Sequence, residues 1–177
     1  MLEEAKLIIV KKELVEFATL VESMVDKSIT GLKDRTPDLL HEVVETDEPR
    51  ANGFETDLDE RCVSIIAQHQ PAGKSLRTIL MVLHINSTLE RIGDHAVTIA
   101  ESSLFLMDRP QVKQLIDIPH MAEVVKTMIA DSIDSFINED AVLARSVCER
   151  DDIVDGLLRA GVFELSLIHI SEPTRPY

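Results

Sequence analysis

Residues 21–47 read VESMVDKSITGLKDRTPDLLHEVVETD, and residues 125–151 read VKTMIADSIDSFINEDAVLARSVCERD. Val21, Met24, Ser28, Ile29, Leu39, Val43, Glu45 and Asp47 of the first stretch recur as Val125, Met128, Ser132, Ile133, Leu143, Val147, Glu149 and Asp151 of the second. Every pair is separated by the same interval of 104 residues, without a gap, and Leu32 with Phe136 keeps the register. Apolar residues that return after three and then four positions mark one face of a helix. Agreement at polar positions as well exceeds what two unrelated amphipathic helices share. We read an internal duplication of a helical unit of roughly 100 residues.

Working outward, the apolar stripe of the first helix runs from Leu14 and Phe17 through Val25, Ile29 and Leu32, over residues 2–34. Gly31 and the polar Lys33, Asp34 and Arg35 break it. Thr36 then has the character of an N-cap, with Pro37 at the first helical position. A second helix spans residues 36–69, with Leu39, Leu40, Val43, Val44, Phe54, Leu58, Cys62, Ile65 and Ile66 inward. Pro49 and Gly53 disturb it, which predicts a kink or a one-residue bulge. Pro71 and Gly73 end it, and Ser75 can cap a third helix over 75–107. After Pro110 the pattern restarts, with helices near 119–138 and 139–164.

The fold class is therefore all-α: tandem three-helix bundles joined by short loops, with the second bundle missing its third helix. That helix would begin near position 179, beyond the last residue. Domain boundaries follow at 1–108 for the first unit and 117–164 for the partial second. The tail at 165–177, LSLIHISEPTRPY, alternates apolar and polar residues, carries Pro173 and Pro176, and looks like the translation of a sequencing-library adapter. It is set aside as non-native.

Composition narrows the function classes. The formal net charge is −14 and only 3% of residues are aromatic. Neither a basic face for phosphate backbones nor rings for base stacking is evident, so nucleic acid is not an expected ligand. Cys62 and Cys148 are too few for a disulfide framework and read as buried, reduced thiols. No apolar run approaches the roughly 20 residues of a membrane span. No signal peptide opens the chain, so a cytoplasmic protein is expected.

The most informative chemistry lies in Leu89–Glu101, LERIGDHAVTIAE. Glu90 and Asp94 are four apart, so both carboxylates project from one helical face, with Glu101 a further seven residues on. Like charges at this spacing repel unless a cation compensates. Gly93 sits mid-helix, at a cost of about 1 kcal/mol relative to Ala, which a close helix or ion would explain. Asp151 and Asp155 form a second pair beside Asp152; Glu48 with Asn52, and Glu55 with Asp59, repeat the spacing. Carboxylate clusters on facing helices suit hard cations and non-haem iron. The alternative is a solvated acidic face, with Arg91 as local counter-charge. No Glu-x-x-His motif, phosphate loop or nucleophile elbow is present, which argues against ferroxidase or hydrolase machinery. His95, next to Asp94, points about 100° away around the helix and reads as a hydrogen-bonded neighbour.

Leu89–Glu101 also resembles the signature helix of the PhoU family. Val43–Asp47, Cys62–Ala67, the Gln70-Pro71 turn before Leu76-Arg77, and the duplicated unit are similar to that family as well. The resemblance covers residues 10–164. It implies two similar three-helix bundles that bind a divalent or ferric ion (Mg, Mn, Zn or Fe) through E/D-x-x-x-D motifs and form a homodimer. It further implies a negative regulator of phosphate uptake and phosphate-starvation signalling. That regulator would act with the phosphate ABC transporter and its sensor histidine kinase, as a peripheral partner and not as an enzyme. The metal ligands so implied are Glu90, Asp94, Asp151 and Asp155; Glu48 and Asn52 join them as candidates from their spacing of four. The alternative is a helical metalloprotein with hydrolytic or storage chemistry. Three positions depart from the family pattern. Thr98 replaces Asn, Ser75 replaces Asp, and Asp47 and Asn52 stand one residue too far apart.

Overall fold

The computed structural model describes residues 2–110 and 117–171, and side chains over 4–110 and 117–159. The elements are α1 (Leu2–Asp34), α2 (Pro37–Glu42), a π-helical turn (Val43–Asp47), α3 (Glu48–His69), α4 (Gly73–Leu106), α5 (Asp117–Asn138) and α6 (Ala141–Ser171). Among the described residues every element is helical. The chain divides into two compact units, Met1–Gln114 and Leu115–Tyr177.

The first unit is the three-helix bundle expected. α2, the π turn and α3 run without interruption as one second helix. Lys6 donates to Gln68 and Arg61 pairs with Glu13, so α1 and α3 are antiparallel. Met24 lies against Gly93, and Arg35 donates to the carbonyl of Met107, so α1 and α4 are parallel. Helices of this length form because each buries a stripe: Val10, Leu14, Phe17, Val21 and Met24 from α1, Leu58, Cys62 and Ile65 from α3, and Ile79, Val82, Leu89 and Ala96 from α4. Phe17 stacks on Phe54 with ring centroids 5.5 Å apart. Each fully buried side chain of this size stabilises the fold by about 1.5–3 kcal/mol.

Several details refine or correct the sequence reading. α1 ends at Asp34, as expected, and runs through Gly31 as unbroken helix. Gly31 is there because a Cβ would lie 2.5 Å from Leu40 Cδ2, so the glycine admits α2 close against α1. α4 starts at Gly73, with Ala72 and not Ser75 in the capping position. The disturbance expected near Pro49 is present as the π turn, which inserts one residue into the second helix.

The second unit consists of α5 packed on α6 among the described residues. Ala122, Ile129 and Ile133 are its buried apolar residues. α6 continues as helix to Ser171, past the boundary expected at Glu164, and the remainder of the tail lies outside the described residues. No described helix is long and apolar enough to cross a membrane.

Candidate functional site

α4 carries the acidic row. Asn86, Glu90 and Asp94 are spaced by four, so they stack along one face where α4 meets α3. Asn86 is buried, and its Nδ2 donates to the carbonyl of Glu55 at 2.9 Å, which ties α4 to α3. Its Oδ1 is buried without a hydrogen-bond partner. Glu90 is half-buried and Asp94 exposed. Burial raises the Glu90 carboxyl above its ordinary value. The negative charges of Asp94 and Glu55 add to this, as does a hydrogen bond with Asp94, while Arg91 pulls the other way. Like charges this close repel, and a cation on this face could compensate them.

Glu55 and Asn86 are therefore parts of this face that the sequence reading did not select. Asn86 was legible as one step earlier in the Glu90–Asp94 spacing. Glu55 was noticed only with Asp59, because its approach to Glu90 is made by packing.

The other expected ligands fall differently. Glu48 is half-buried and Asn52 exposed on α3. Asp47, one residue earlier, is buried and bound to Lys27 Nζ at 2.6 Å and Arg50 Nη1 at 3.2 Å. In the second unit Asp151 and Asp155 are both exposed, and Asp155 pairs with Arg159 at 3.2 Å. Among the described residues no three His, Cys, Asp or Glu side chains converge as a metal-holding group. Glu90 and Asp94 are thus a two-carboxylate pair, enough for an ion that keeps much of its water but short of a protein cage.

The cysteines differ from each other. Cys62 is buried as expected, and burial, with Asp59 and Glu13 adding, pushes its thiol up to about 11. Cys148 is exposed, a correction to the expectation that both are buried.

A long three-helix bundle followed by a second unit that repeats its first helical hairpin, with an acidic row on the third helix, defines a duplicated all-helical protein of the PhoU type. The PhoU domain pattern matches residues 14–103 and 118–174, covering both units. A phosphate-specific transport system accessory protein PhoU homolog from Aquifex aeolicus is 37% identical over 163 residues, covering 92% of this chain and 73% of that protein. A namesake from Pseudomonas putida is 33% identical over 165 residues, covering 93% of this chain and 64% of that protein. The crystal structure of PhoU from Pseudomonas aeruginosa superposes with a TM-score of 0.90 at 31% identity, covering 96% of this chain and 81% of that one. The chain belongs to the PhoU family, and it spans about two thirds to three quarters of the length of those two curated relatives.

Proposed function

We propose that this chain is a cytoplasmic accessory regulator of phosphate uptake, working by protein contact and not by catalysis. In this reading it docks on the phosphate ABC transporter and on the sensor histidine kinase, and holds uptake and phosphate-starvation signalling down while phosphate is plentiful. The observation that carries it is family membership across both repeats, with relatives named as accessory proteins of phosphate-specific transport systems. Pull-down of the full chain with the transporter's ATP-binding subunit, and separately with the kinase, tests it. Retention of either partner at near-physiological salt supports the reading. Retention of neither overturns it.

We infer further that Glu90 and Asp94 hold one divalent or ferric ion, with water completing its shell and the neighbouring Glu55 adding to the field. Supporting this are the two carboxylates four residues apart on one helical face, where burial and the charges of Asp94 and Glu55 raise the Glu90 carboxyl, and the unpartnered oxygen of Asn86 on the same row. The ion would supply charge neutralisation on the α3–α4 face. Asp151 with Asp155 is a weaker candidate because both are exposed and Asp155 pairs with Arg159, and Glu48 with Asn52 is another because it offers a single carboxylate. Thermal melts of the full chain with Mg²⁺ or Mn²⁺ against chelator should show a higher midpoint with metal. Glu90→Gln with Asp94→Asn should remove that response. An equal response in the double variant places the ion elsewhere.

A further inference from the structure

The two units contain the same helical hairpin. Arg35 and Glu139, 104 residues apart, both adopt the left-handed conformation at the turn, with φ of 54° and 55°. The next amide in each case bonds back to the same relative carbonyl, Thr36 to Gly31 at 3.0 Å and Asp140 to Ser135 at 2.9 Å. The hydrophobic stripes also repeat at this interval. Apolar pattern alone therefore cannot tell the first helix of one unit from that of the other.

Several ion pairs cross the first hairpin, Lys27 with Glu42 and Asp47 and, farther from the turn, Glu13 with Arg61; at the level of Lys27 the pair in the second unit has the opposite polarity. In the first unit Lys27 on α1 reaches Asp47 at 2.6 Å, with side chains 21% and 1% exposed. In the second unit Arg150 on α6 reaches Asp131 on α5 at 2.5 Å, with side chains 22% and 29% exposed. Lys27 and Asp131 are 104 residues apart, so the two first helices carry opposite charges at one register position. The partner lies 20 residues on in the first unit and 19 in the second. The residue inserted by the π turn accounts for the difference and lifts Asp47 to the level that Arg150 occupies.

We propose that this reversed polarity is a pairing code. It keeps each first helix with the second helix of its own repeat, within one chain and between copies of it. Helices of a duplicated chain can exchange partners when a hairpin turn opens, as in domain swapping. Seating α1 on α6 would set Lys27 against Arg150. Seating α5 on the second helix of the first unit would set Asp131 against Asp47, a carboxylate with almost no access to water. Like charges brought together in an interface exclude the wrong partner more effectively than the lost attraction does. The tight turns favour the native hairpin locally, and the charges penalise heterotypic exchange once a turn has opened.

The test is refolding of the full chain from denaturant at micromolar concentration. Nitroxides on Cys148 and on Lys33→Cys report an α1–α6 pairing as a short-distance population that grows on refolding relative to never-unfolded protein; Cys62 is buried and escapes labelling. Asp131→Lys with Arg150→Glu gives the second unit the polarity of the first, so both ion pairs remain satisfied while the code is erased. The exchanged population should rise at least about tenfold over wild type. The neutral variant, Asp131→Asn with Arg150→Gln, should raise it less, because it removes an attraction without making the wrong pairing attractive. An exchanged population unchanged in the polarity-matched variant overturns the proposal. An equal rise in both variants also overturns it, since loss of stability alone would then explain the exchange.

Discussion

The α1–α2 and α5–α6 hairpins descend from one sequence pattern and share turn geometry to within a degree in φ, yet they are held by different means. The first hairpin is pressed together: Gly31 lets Leu40 in, the π turn swings Asp47 inward, and Lys27 with Arg50 neutralises it. The second is more open. Ser135 stands in place of Gly31, the ion pair is more exposed at its acidic end, and Asp140 caps α6 by accepting from the amides of Val142 and Leu143. A third helix packs on the first hairpin and encloses it. The same ancestral face therefore became a buried polar contact in one unit and a solvated one in the other.

The largest expected contrast is at the ion pairs. Lys27→Met leaves the buried Asp47 carboxylate with only Arg50 and should destabilise the fold by about 3 kcal/mol. Arg150→Met leaves Asp131 in contact with water and should cost about 1 kcal/mol or less. Urea denaturation followed by helical circular dichroism measures both, and equal losses would break the comparison. The pH dependence sharpens it. Burial alone would lower the Lys27 ammonium, but the hydrogen bonds and charges of Asp47 and Glu42 outweigh it and raise it above the ordinary 10.5. A raised folded value means the stabilisation is present below the unfolded value and is lost as pH climbs through the folded one. Wild type should therefore lose stability above about pH 10.5, and Lys27→Met should lose less across that window.

Next comes the turn. Gly31→Ala would set a methyl 2.5 Å from Leu40 Cδ2 and 2.7 Å from its Cγ, in a place where Leu40 is fully buried. A cost of about 2 kcal/mol is expected. Ser135→Ala, at the matching position, should stay within about 0.5 kcal/mol. If the thermal midpoints of the two variants shift alike, the first hairpin is not packed more tightly than the second.

The caps should show the opposite bias. Asp140→Ala removes two accepted hydrogen bonds and should cost about 1 kcal/mol, whereas Thr36 makes no side-chain capping bond and its replacement by Ala should cost only a few tenths. Smallest is Gly93→Ala. Its Cβ would meet Met24 Cε at 3.6 Å and Val21 Cγ2 at 3.9 Å, ordinary contacts. The variant should be neutral or more stable by up to about 1 kcal/mol, through helix propensity. A loss in melting temperature would show that Gly93 is needed for closer approach than these distances require.

Helix positions, the duplication and the acidic pair on α4 were legible in the residues, because periodicity of apolar side chains and i,i+4 spacing are properties of a single helix. The bulge near Pro49 was legible too, since proline and glycine disturb a helix locally. The partners of these features were not. The interval of 104 pairs Asp47 with Asp151, but the π turn shifts the register by one residue: Asp47 is buried against Lys27, and Asp151 is exposed. Glu55 came to Glu90, and Asn86 to the Glu55 carbonyl, only when α3 packed on α4.

By itself the sequence determined which residues form helices, which face of each turns inward, and that one helical unit occurs twice, because backbone hydrogen bonding and apolar spacing act within about a turn of chain. Tertiary packing alone decided which of the many carboxylates became structural. A carboxylate's role depends on whether a cation, a second acid or water lies within a few ångströms of it, and those neighbours come from helices distant in sequence. Lys27 made Asp47 a buried ion pair, burial together with Asp94 and Glu55 pushed the Glu90 carboxyl upward, and solvent left Asp151 as an ordinary surface acid.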